Sequence, residues 1–177
     1  MQTPLGSLLA VVLMAVPLQA APAPSQLTVD DNAKVFSESA IGKAKETLTD
    51  LKSKIQVHIE TSAKLTPYET AKFEEDKKAF WRDWIKAQKT GDRGLVIGIN
   101  MKPGHIEVLA DKQVRDHGFA TKEEGYVEKI LAKAFGKAQD TKVEEDALKI
   151  RDDALIEVAE YLRKNLPEGP AGKDKSK

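Results

Sequence analysis

The stretch from Gly94 to Asp111 constrains this chain most. Two strand-like runs, LVIGINM and HIEVLAD, flank Lys102-Pro103-Gly104. Lys-Pro-Gly is turn chemistry, so the two runs fold back on each other as an antiparallel hairpin. Pairing Asn100 with His105 then sets Gly94 opposite Asp111. The GDRG turn that ends at Gly94 and the carboxylate of Asp111 share one end of that hairpin.

The surrounding sequence supplies helices and one more strand. Ser37 is suited to cap a helix over 38–53, in which Ile41, Ala44, Leu48 and Leu51 recur at spacings of three and four. In IQVHIETS, Ile55, Val57 and Ile59 alternate with Gln56, His58 and Glu60, the period of a strand with one face on a core. A helix over 67–89 begins at Pro67 and carries Phe73, Lys77, Phe80, Trp84 and Ala87 on one stripe, widened by Trp81 and Ile85. Thr121 with Glu124, and Thr141 with Glu144, have capping-box spacing ahead of two final apolar-periodic helices. The order predicts an α/β fold: a three-layer α/β/α sandwich with a small mixed sheet, a β-hairpin within it and helices on both faces.

Charge and composition exclude several roles. The 28 Lys+Arg residues balance 28 Asp+Glu, which leaves no basic excess for general nucleic-acid binding or a polybasic membrane contact. Cysteine is absent, which excludes disulfides, thiol catalysis and cysteine-held metals. Residues 1–20 hold no charged side chain and contain the run LLAVVLMAV followed by Pro17 and Ala20, the pattern of a signal peptide. That run is too short to span a bilayer, so no transmembrane helix is expected. The organisation read from these features is a signal peptide over 1–20, a linker over 21–29, a domain over 30–166 and a flexible Gly/Pro/Lys-rich tail over 167–177. The mature chain is expected to be exported, periplasmic or secreted, and monomeric.

Three words carry a family resemblance. VDDNAKVFSESAIGKAKETL, FWRDWIKAQKTGDRGLVIGIN and HIEV, in this order and spacing, resemble the TPM-domain family, which includes a thylakoid-lumen protein of photosystem repair. In the second word Trp84, Gly91, Asp92 and Gly94 stand in the matching places, and the likeness runs from about Leu27 to Leu166. The family's Gly-Tyr-Gly-Leu-like loop after the HIEV strand is replaced here by Leu109-Ala-Asp-Lys-Gln-Val-Arg. The resemblance implies an α/β/α sandwich outside the cytoplasm; its members have been linked to phosphatase activity, metal binding, complex repair and receptor modulation.

Asp31, Asp92 and Asp111, with Asp30 and Glu107 as weaker members, are the candidate ligands for Ca²⁺ or Mg²⁺, because clustered carboxylates supply hard oxygen donors. Turn chemistry explains Asp30-Asp31-Asn32 and Asp92 equally well. His58, His105 and His117 lack the spacing of a helical zinc site, and no serine has a nucleophile-elbow context. The stripe of Phe80, Trp81 and Trp84 reads as core packing before it reads as an exposed aromatic platform. Two functions compete on this basis. One is a non-enzymatic, exported TPM-like module that binds a protein partner or assists a complex in the cell envelope, with a divalent metal as an optional ligand. The other is a divalent-metal-dependent, acid-phosphatase-like hydrolase built on the three aspartates.

Overall fold

The computed structural model describes residues 26–49, 51, 55–87 and 94–167. The expected signal peptide, most of the linker, the tail from residue 168 and Asp92 lie outside the described residues. The elements are β1 (Leu27–Asp31), α1 (Glu38–Thr47), β2 (Gln56–Ser62), α2 (Pro67–Glu75), α3 (Lys77–Ala87), β3 (Gly94–Asn100), β4 (His105–Ala110), α4 (Lys112–Asp116), α5 (Thr121–Gln139) and α6 (Glu144–Asn165). The sheet runs β1-β2-β3-β4, with β1, β2 and β3 parallel and β4 antiparallel to β3. Residues 27–29, read from sequence as the end of the linker, belong to β1.

Alternation along the strands splits the interior in two. Leu27, Val57, Ile59, Leu95, Ile97, Ile99, Val108 and Ala110 face a large core closed by α1, α5 and α6. Val96 faces the opposite side, where Leu65 and the α3 residues Phe80, Trp81, Trp84 and Ile85 form a smaller aromatic cluster. Helices therefore cover both faces, and the fold is the α/β sandwich the sequence predicts. The smaller cluster also buries Trp81, so the stripe is core and not an exposed platform. Among the described residues no helix is long and apolar enough to cross a membrane.

The helix boundaries differ from the periodicity for local reasons. The stretch over 67–89 breaks at Asp76, whose extended backbone ends α2 and whose Oδ1 accepts the Ala79 N–H at 3.0 Å at the start of α3. Thr66 and Glu69 form the reciprocal capping box of α2. The two boxes expected downstream do not form as read. Ala120, not Thr121, precedes α5, and Glu123 accepts the Ala120 N–H at 3.1 Å. Val143 precedes α6, while the Thr141 hydroxyl donates back to the Lys137 carbonyl at 2.9 Å. Residues 112–116, read as loop, form the short helix α4 with Asp111 as its cap.

Candidate functional site

The hairpin end has the geometry derived from the sequence: Asn100 pairs with His105, and the Asp111 N–H donates to the Gly94 carbonyl at 3.0 Å. Asp111 is buried, and both its oxygens are in use. Oδ2 accepts the Gly94 N–H at 2.5 Å and Oδ1 accepts the Val114 N–H at 2.9 Å, which starts α4. The side chain closes the hairpin and caps a helix.

Asp31 is occupied in the same way at a different place. Its Oδ1 accepts the Val35 N–H at 3.0 Å and the Thr61 hydroxyl at 2.6 Å; its Oδ2 accepts the Phe36 N–H at 2.9 Å. The carboxylate organises the loop between β1 and α1, which α6 holds from outside. There the Arg151 Nε donates to the Val35 carbonyl at 3.0 Å, and Asp152 accepts the Ser37 N–H at 2.9 Å.

The expected meeting of Asp31 with Asp111 does not occur. Parallel register sets Asp31 beside Thr61 and Thr61 beside Ile99, at the C-terminal end of β3, whereas Asp111 faces Gly94 at its start. The two levels are five residue steps apart, about 16 Å along the strands alone. Glu107 is engaged with His105 at 2.9 Å, and the His105 ring stacks on Trp81 with centroids 4.1 Å apart. The Arg115 guanidinium does not compensate Asp111. It donates from Nε at 3.0 Å and Nη2 at 2.8 Å to Glu124, a buried carboxylate on α5.

Glu124 belongs to a feature the sequence reading missed. The same Oε1 accepts the Ala110 N–H at 2.7 Å, and one helical turn further on Glu128 accepts the Val108 N–H at 3.0 Å. Both N–H groups point away from β3, so two α5 carboxylates cap the outer edge of β4. Burial raises the Glu128 pKa from its ordinary value. The neighbouring Glu107 and Glu124 charges add to this and the Val108 N–H opposes it. The signal was legible as Glu124 and Glu128 at i, i+4, though nothing local says that an edge strand lies beneath them.

Period two puts the Ile106 N–H on the same outer edge, and among the described residues no side chain caps it. A cavity of about 620 Å³ opens between the hairpin tip and α5, with Ile106, Asn100 and Pro103 on one side and Glu128, Lys129, Ala132, Phe135, Gly136 and Gln139 on the other. Neither Ala132 nor Gly136 has a side chain able to accept a hydrogen bond. Asn100 is buried, its Nδ2 donates to the Ser62 hydroxyl at 2.8 Å, and among the described residues its Oδ1 has no partner.

No protein-family model matches the chain, and no curated protein does. Among solved structures, the N-terminal domain of a protein from P. gingivalis, determined in solution by NMR, is similar at a TM-score of 0.49 and 12% identity, covering 82% of this chain and 87% of that one.

Proposed function

We propose that this domain is a non-enzymatic, exported TPM-like module that receives an extended segment of a protein partner in the cell envelope at the uncapped end of β4. The observation that carries the reading is the change in the β4 edge along its length. Ala110 and Val108 are sealed by Glu124 and Glu128, and beside Ile106 the edge borders a cavity whose α5 wall carries Ala132 and Gly136 beside Lys129, Phe135 and Gln139. An added strand satisfies open edge groups through its main chain and lays alternate side chains into the adjoining space. The hydrolase reading has less support, since Asp31 and Asp111 are bound to backbone N–H groups at opposite ends of the sheet.

The test is a photo-crosslinker at Ala132 in the native exported fraction, with a second at Lys78, an exposed residue on the other helical layer, as control. A discrete adduct at Ala132, absent at Lys78 and lost when Gly136→Leu fills the cavity, is the expected result. Equal adducts at both positions overturn the docking reading. Chelator-sensitive hydrolysis of a phosphate monoester by the purified chain overturns the non-enzymatic one. Export is tested separately: the native protein is expected to begin at or near Ala21, and an N-terminus at Met1 would reject it.

A further inference from the structure

A second polar group lies on the opposite face of the sheet, on the β1–β2 half that the α3 aromatic cluster does not include. Asp30 and Glu60 are direct partners across the β1–β2 ladder, and His58 is one pleat away on the same face. The His58 Nε2 is 3.7 Å from an oxygen of Asp30 and 3.7 Å from an oxygen of Glu60, and one donor atom from each of the three residues lies within 4.8 Å of the others. His58 is 5% exposed, yet among the described residues its ring makes no hydrogen bond: Nδ1 has no partner, and both Nε2 contacts exceed hydrogen-bond length. A buried imidazole in that condition leaves Nδ1 unsatisfied and holds Nε2 only by long contacts to two carboxylates, which is costly.

We propose that Asp30, His58 and Glu60 form a site for one zinc-class divalent transition-metal ion. The spacing suits an ion better than direct contact. Ligands at about 2.0–2.2 Å from a tetrahedral centre are about 3.4 Å apart, so the 3.7 Å gaps need close by only a few tenths of an ångström. Coordination through Nε2 gives the buried ring one strong partner, and two carboxylates with a neutral imidazole balance a divalent charge. Nitrogen in the donor set selects zinc-like metals over Ca²⁺ and Mg²⁺, which take oxygen ligands. Glu60 is already oriented, because its other oxygen accepts the Asn32 Nδ2 at 2.8 Å, an outer contact of the sort that fixes metal ligands. The Asp30 side chain is 54% exposed, which leaves an approach from solvent and room for water at the remaining position. The site is independent of the β4 cleft, so either can fail without the other.

The experiment is calorimetric Zn²⁺ titration of the full chain, repeated with Co²⁺ to read nitrogen ligation in the visible spectrum. Wild type is expected to bind one Zn²⁺ per chain, with excess Ca²⁺ failing to displace it. Asp30→Asn and Glu60→Gln are each expected to weaken binding by at least ~10-fold, while His117→Asn leaves it unchanged. Asp30 is exposed, so its variant tests the site even where a His58 substitution compromises folding. Absence of stoichiometric binding, full affinity in Asp30→Asn, loss of affinity in His117→Asn, or displacement by Ca²⁺ would each overturn the assignment.

Discussion

Gly98 in β3 is in contact with the Trp84 indole of α3, and a Cβ at Gly98 would overlap that ring and the end of Ile85. The glycine is what lets the aromatic layer approach the sheet. Gly98→Ala is therefore expected to destabilise by about 1–3 kcal/mol through overpacking, and Trp84→Ala by about 3–5 kcal/mol through the void it leaves. The double variant should lose less than the sum, because the new methyl enters the vacated space. Urea melts of the four proteins read this coupling; strict additivity would mean that the two residues do not share a contact.

Lys34 is the described non-glycine residue with positive φ, at 53° in the loop after β1, where its N–H donates to the Asp31 carbonyl at 3.1 Å. A left-handed conformation costs an L-residue about 1–2 kcal/mol, and the Asp31 carboxylate enforces it by binding the next two N–H groups. Lys34→Gly removes that strain while loosening the unfolded chain. A net stabilisation of up to about 1 kcal/mol is expected. A loss of stability would show that the exposed lysine side chain contributes contacts of its own.

The hairpin was legible because its register is local: the turn residues fix which positions face each other, and Gly94 meets Asp111 as derived. The grouping of Asp31 with Asp111 failed for a reason of topology. Parallel strands linked by crossovers send Asp31 to the C-terminal end of the sheet, while the antiparallel β4 carries Asp111 back to the start of β3. Alternation marks only one apolar face and so places His58 away from the core. Its burial depends on what packs around the second face, which no local pattern records. Spacing likewise marks Glu124 as a helix cap, whereas the fold uses it to bind Ala110 and Arg115.

The raised pKa of Glu128 gives a pH test. Burial is its main cause, followed by the charges of Glu107 and Glu124 against the opposing Val108 N–H. Between the unfolded value, about 4.3, and the raised folded value, the native chain holds more proton than the unfolded chain. The contribution of Glu128 to stability is thus full below that window and declines as pH rises through it. Glu128→Gln keeps an acceptor for Val108 and has no charge to desolvate. Relative to wild type, the variant should gain melting temperature between acid and neutral pH. A difference that stays flat across that range would show that Glu128 ionises as it does in the unfolded chain.

Asp111 separates a structural carboxylate from a calcium ligand. Its two oxygens accept the Gly94 and Val114 N–H groups, and it is 4% exposed. Asp111→Ala removes a helix cap, worth about 0.5–2 kcal/mol, and strands a buried N–H, worth about 1–3 kcal/mol. Together these predict a loss of roughly 2–4 kcal/mol. Asp111→Asn keeps one acceptor oxygen and turns a donor toward the other N–H, so it should fall between wild type and alanine. Both losses should be the same in calcium and in chelator, because both carboxylate oxygens are held by backbone N–H groups. Melting each protein in Ca²⁺ and in chelator decides the matter. A stability loss confined to the calcium series, with a heat of Ca²⁺ binding that Asp111→Asn abolishes, would return Asp111 to the list of metal ligands.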